Sequence, residues 1–159
     1  MESDVKKAII CSACLVGEKC RYDGSSNENE KVLALGDKYR IIPVCPETSG
    51  GLGTPRTPSE IKCGRVYTKD GKDVTEYFVS GAKTALKAAE ENKAVFAVLK
   101  ARSPSCGSGF VYDGSFSGKL TAGDGIFAGM LKKAGIAVFS EETLGTAEDF
   151  AVDPKAFEG

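Results

Sequence analysis

Residues 7–11 (K-A-I-I-C), 41–45 (I-I-P-V-C), 94–99 (A-V-F-A-V-L) and 136–139 (I-A-V-F) constrain this chain most. Each is a short apolar run rich in Val, Ile or Phe, with the length of a strand buried on both faces. Helical patterns lie between them. Asp73 and Glu76 read as a capping box, followed by Phe78, Ala82, Ala85, Leu86 and Ala89 at helical spacing up to Asn92. After T-A-G-D-G, Ile126, Phe127, Met130, Leu131 and Ala134 share one helix face, with Lys132 and Lys133 in the last turn and Gly135 as the stop. A shorter helix is expected over 29–35, closed by Gly36, and V-Y-T-K-D-G-K-D-V reads as a hairpin around Asp70-Gly71 or as a loop. Strands alternating with helices require long crossovers, hence parallel pairing. The expectation is an α/β, Rossmann-like single domain over residues 1–159, with a mainly parallel sheet of about four strands flanked by helices.

The 21 basic and 22 acidic residues nearly cancel, with no block of one sign. That removes the electrostatic footprint of a polynucleotide binder and points to a small substrate. The opening M-E-S-D-V-K-K-A-I-I puts acids ahead of a brief apolar run, so neither a secretory signal nor a membrane span is expected, and the predicted location is cytoplasmic. There is no histidine. Chemistry therefore falls to cysteine, carboxylate, lysine, tyrosine or hydroxyl groups, without the commonest neutral-pH base or nitrogen ligand.

Six cysteines, Cys11, Cys14, Cys20, Cys45, Cys63 and Cys106, are many for such a chain. In a reducing compartment they suit metal binding or thiol chemistry rather than structural disulfides, although a free cysteine is by default a small buried hydrophobe. In an open parallel sheet the ligand site forms outside the carboxyl ends of the strands, where loops converge. Three such loops carry cysteine: C-S-A-C, V-C-P-E and S-P-S-C-G. Cys14, Cys45 and Cys106 are the candidate set, one per loop. Three thiolates without histidine suit a soft metal centre. The spacing matches neither common ferredoxin pattern, and on spacing alone metal ligands and ordinary buried cysteines stand even. Arg21, Arg56 and Lys100 fall in or beside the same loops and read either as a phosphate grip or as solvated charge. The helix start at T-A-G-D-G similarly offers N–H groups to an anion.

The strings S-A-C-L-V-G-E-K-C-R-Y-D-G, C-P-E-T-S-G-G-L-G-T-P-R-T-P-S-E-I, L-K-A-R-S-P-S-C-G-S-G, Y-D-G-S-F-S-G-K-L-T-A-G-D-G and G-I-A-V-F-S-E-E together resemble the thiouracil desulfidase family over residues 9–142. The resemblance implies a 4Fe-4S cluster held by Cys14, Cys45 and Cys106, with its fourth iron open to the substrate's sulfur. It also implies a non-redox hydrolytic desulfuration of thiouracil or 4-thiouridine monophosphate to the oxygen analogue plus hydrosulfide. Glu47 matches the family's base and Ser103 its assisting hydroxyl. The other reading of Glu47 is a helix cap after Pro46, and Ser103 and Ser105 read otherwise as turn formers beside Pro104. Cys20 as a fourth ligand would close the cluster, while Cys11 and Cys63 read as bystanders. The alternative function is a zinc or closed iron–sulfur module that binds or senses without turnover.

Overall fold

In the computed structural model, which describes residues 6–53 and 56–143, the four apolar runs pair side by side as one parallel sheet. Its strands are β1 (Ala8–Ser12), β2 (Arg40–Val44), β5 (Ala97–Leu99) and β8 (Val138–Ser140), in the order β2-β1-β5-β8. The pairing Ile10↔Ile42 and Ile10↔Ala97 makes β1 a central strand, and all five of its residues are buried. The side strands β2 and β8 are half-exposed.

Alternation along the strands divides the core between two faces. Ile10, Ala97 and Leu99 pack with Ala82, Ala85 and Ala89 of α3 (Thr75–Glu91) and with Phe127, Ala128 and Leu131 of α4 (Ile126–Lys133). Ile9, Cys11 and Val98 pack on the opposite side with Val32 of α1 (Glu30–Ala34) and with Leu15, Leu35 and Phe96. The helical spacing read from the sequence is thus the spacing that meets the sheet. Asn29 caps α1, its side-chain oxygen accepting from the N–H groups of Lys31 and Val32 at 3.0 and 3.2 Å. No described helix is long and apolar enough to cross a membrane.

Two antiparallel hairpins complete the fold: β3 (Ser59–Lys62) with β4 (Arg65–Thr68), and β6 (Phe110–Tyr112) with β7 (Leu120–Ala122). The first was not expected from the sequence. Its turn is Cys63-Gly64, with φ of +52° and +77°, the two positive values a two-residue type I′ connection demands. The reversal expected at Asp70-Gly71 follows β4 as a second, shorter hairpin: Tyr67 bridges antiparallel to Asp73, the Thr68 amide donates to the Lys72 carbonyl at 2.8 Å and the Val74 amide to the Val66 carbonyl at 2.9 Å. The capping box at Asp73 also takes another form. The Asp73 carboxylate accepts from the amide and hydroxyl of Thr75, at 3.0 and 2.6 Å, rather than reaching Glu76. The domain expected over 1–159 runs past the described residues at both ends.

Two close backbone approaches seat the loops that matter. A Cβ on Gly81 of α3 would lie 1.6 Å from the Pro46 carbonyl oxygen, and one on Gly50 would lie 1.9 Å from that of Tyr77. Only glycine permits this contact, so α2 (Pro46–Ser49) lies directly on the α3 backbone. At Gly125 a Cβ would fall 2.5 Å from the carbonyl carbon of Ser105, pressing the start of α4 onto the S-P-S-C-G loop.

Candidate active site and metal centre

The sheet order places a topological switch between β1 and β5, the position where open α/β sheets build their crevices. Here a cavity of about 470 Å³ opens, lined by all three predicted cysteines together with Cys20, Glu47, Ser103 and Ser105. Its volume lies within the usual range for small-molecule sites. Cys14 sits in the 3-10 turn that continues β1, Cys45 is the residue before α2, and Cys106 follows the turn after β5. The three loops do converge, and the sheet is what brings them together.

Four thiols occupy two different surroundings. Hydrogen bonding with the Cys20 side chain is the chief cause that draws the Cys14 thiol down to about 7 and the Cys45 thiol to about 6, and Cys45 Sγ also lies 3.9 Å from the Cys20 carbonyl oxygen. The same hydrogen bonds hold the proton on Cys20 and push its pKa up. The Asn27 amide nitrogen also donates to Cys14 Sγ at 3.6 Å. Cys106, in contrast, is 4% exposed. Burial pushes its thiol up to about 12, against the pull of hydrogen bonds from Ser12 and Ser105. Among the described residues no three His, Cys, Asp or Glu side chains close on a single point as ligands do round one ion. Separate thiols round one cavity suit a cluster, in which each cysteine takes its own iron.

Glu47 stands in the first turn of α2. Its Oε1 accepts from Arg56 Nε at 3.1 Å and Nη2 at 2.9 Å, and its Oε2 accepts from the Ser105 hydroxyl at 3.2 Å. Both members of the ion pair are largely buried, at 11% and 16% side-chain exposure. Ser103 Oγ accepts the amides of Ser105 and Cys106, at 3.2 and 3.1 Å, and lies 3.1 Å from Ser105 Oγ. With its acceptor side so occupied, Ser103 has its own proton free to point at Ser105, whose proton in turn faces Glu47. Ser105 is 2% exposed and also lies 3.6 Å from Cys106 Sγ. The sequence reading took it for a turn former. Its place between the Glu47 carboxylate and the Cys106 thiol was foreshadowed only by its adjacency to Cys106.

The basic residues are engaged to different degrees. Besides Glu47, Arg56 donates to the carbonyls of Gly53 and Cys20, at 3.1 and 2.9 Å, so most of its guanidinium is committed inside the protein. Lys100 pairs with Glu141 at 2.8 Å. Arg21 makes only a 4.0 Å approach to Asp23 and lies over the Tyr22 ring at 5.5 Å. The suggestion of an anion site at T-A-G-D-G is corrected. The amides of Gly125, Ile126 and Phe127 already donate to the carbonyls of Gly107, Pro104 and Ser105 at 2.7–2.9 Å. That helix start holds the cysteine loop instead. Cys11 lies wholly buried in the core and Cys63 is exposed at the hairpin turn, neither in the cavity.

Fold and site together define an α/β domain with a cysteine-lined cavity at the carboxyl edge of its sheet. Residues 9–143 match the 2-thiouracil desulfurase family, and the chain belongs to that family. It is 44% identical over 146 residues to the protein YbbK of Bacillus subtilis (strain 168), a match covering 86% of this chain and 97% of YbbK, which is described as uncharacterized. It is also similar to the solved structure of the 4Fe-4S-dependent thiouracil desulfidase TudS. There the TM-score is 0.86 and the identity 44%, over 92% of this chain and 99% of the other.

Proposed function

We propose that the protein is a 4Fe-4S-dependent desulfidase that converts a thiolated uracil and water into the uracil and hydrogen sulfide without net electron transfer. The observation that carries this reading is the meeting of Cys14, Cys45 and Cys106 with a two-handed carboxylate, Glu47, in one cavity. Those three thiols would hold the cluster. Once bound, it supplies a Lewis-acidic iron, which makes the thiocarbonyl carbon more open to attack.

The chain's own residues supply the rest. A carboxylate has about four acceptor sites, and Arg56 and Ser105 use three on Glu47. The remaining site is where Glu47 accepts the proton of the attacking water. Arg56 and Ser105 fix the carboxylate from both ends, so its orientation is set before substrate arrives. Ser103 keeps Ser105 in line and holds the Cys106 amide. Within the proposed substrate-binding set of Arg21, Arg56 and Lys100, Arg21 is the least engaged and is the main phosphate contact. Lys100 is second. Arg56 acts chiefly by holding Glu47.

A closed, non-catalytic centre is the second reading, because Cys20 lines the cavity and hydrogen-bonds to Cys14 and Cys45. Anaerobic purification with iron and acid-labile sulfide analysis, then sulfide release from 4-thiouracil, 4-thiouridine and its 5′-monophosphate, tests both. About four irons per chain with turnover, most efficient on the monophosphate, is the expected result. A full cluster with no sulfide release from any of the three, unchanged in Cys20→Ala, overturns the enzyme reading.

A further inference from the structure

Among the described residues, four that are not glycine adopt a left-handed backbone: Cys63, Lys93, Arg102 and Phe116. Cys63 turns a hairpin and Lys93 follows a helix end. Phe116, with φ of +56°, is the one large apolar side chain among them. A bulky residue there carries strain that the surroundings must impose. They do so visibly. Glu60 Oε1 on β3 accepts the amides of Gly114 and Phe116 at 3.0 and 3.1 Å, pinning the tip of the β6–β7 hairpin onto the other hairpin. At its base, Val111 bridges to Arg102, beside Ser103. The hairpin is thereby held at its tip by the other hairpin and at its base by the loop that carries Ser103.

The strained ring is not part of any of the three core clusters. It is half-buried and lines the cavity that holds the thiols and Glu47, together with Tyr22 and Tyr112. A glycine would satisfy this backbone at no steric cost, and a polar residue would suit the rim. An aromatic ring held there against strain, in the wall of the cavity that also holds the thiols and Glu47, is suited to a flat π-system. We propose that Phe116 is the platform on which the pyrimidine ring of the substrate stacks, setting the plane in which the ring enters the site. This inference rests on the desulfidase reading and adds a specificity-determining residue to it.

The test uses the cluster-loaded protein under anaerobic conditions. Phe116→Ala is expected to raise the KM for 4-thiouracil roughly 10-fold, within the ~5- to 150-fold that stacking of a base on an aromatic side chain provides. It should leave kcat within about 2-fold, the mark of lost uniform binding. Uracil binding measured by calorimetry should weaken by the same factor, and Phe116→Tyr should restore both. Phe116→Gly should bind as poorly as the alanine variant but melt above it, because glycine relieves the left-handed strain. An active wild type with an unchanged KM in Phe116→Ala overturns the stacking role and leaves the desulfidase reading intact. Loss of cluster or a collapse of Tm in both the alanine and glycine variants also overturns it, making the ring a structural prop. A fully loaded wild type that releases no sulfide from any thiolated pyrimidine brings down the desulfidase reading, and this inference with it.

Discussion

The two sides of the cavity use the same side chain in opposite ways. On the side of the loops after β1 and β2, Cys14 and Cys45 are half-buried beside Cys20, and hydrogen bonding with it draws their thiols down to about 7 and 6. On the side of the loop after β5, Cys106 is sealed between Ser12, Ser105 and the start of α4, and its thiol is pushed up to about 12. Thiolate is the metal ligand and the nucleophile. Deprotonation is therefore favoured on one side, whereas burial opposes it on the other. Glu47 and Ser105 span the divide, since their 3.2 Å hydrogen bond joins the loop of Cys45 to the loop of Cys106.

The largest effect is expected from removing a ligand on either side. Cys14→Ser, Cys45→Ser and Cys106→Ser should each lose the cluster and all turnover, read by iron content and sulfide release. If Cys106→Ser keeps a full cluster, the buried side is not part of the centre. Next comes the span itself. Glu47→Gln should retain the cluster and lose about 100-fold or more in kcat, the usual cost of a missing general base. Turnover near the wild-type rate would give the base role to another group. Ser105→Ala removes one hydrogen bond to a charged acceptor and should cost roughly 10-fold in kcat, with iron content unchanged.

The contrast in thiol acidity has its own test in the metal-free protein. Iodoacetamide should modify Cys14 and Cys45 as pH rises through about 6 to 7, where their thiolates form, while Cys106 stays unmodified until the chain unfolds. Cys20→Ala removes the proton that favours both thiolates, so their modification should shift to higher pH and leave Cys106 unaffected. An unshifted profile would mean that Cys20 is not the cause of the difference. The smallest effect belongs to Cys63→Ser: the side chain is exposed at a turn, and neither iron content nor turnover should change.

The apolar runs show how far pattern alone reaches. Four stretches of strand length interleaved with helical spacing leave little room for anything but a parallel sheet, and β1, β2, β5 and β8 lie within a residue or a few of those runs. The hairpins were less legible. Asp-Gly is a strong turn signal and does reverse the chain after β4, but Cys63-Gly64 carries no such signal, and the hairpin it turns is fixed by which residues meet across the pair, such as Ile61 and Val66. The cysteine loops could be located from strand ends. Ser105 could not be told from a turn former, nor Arg56 from a surface cation, because each has its role through a partner 58 or 9 residues away.

The sequence by itself determined the kinds of chemistry open to the chain: no histidine, cysteines in three strand-end loops, one acid beside a candidate ligand and one hydroxyl three residues before another. These follow from composition and local spacing, which need no folded partner. Tertiary structure decided which groups act on one another. The sheet order made β1 and β5 neighbours, the Gly50–Gly81 approach set α2 on α3, and the start of α4 closed over Ser105. Hydrogen bonds and thiol acidity depend on distances of a few ångströms and on burial. Those quantities exist only once segments far apart in the chain have been packed together.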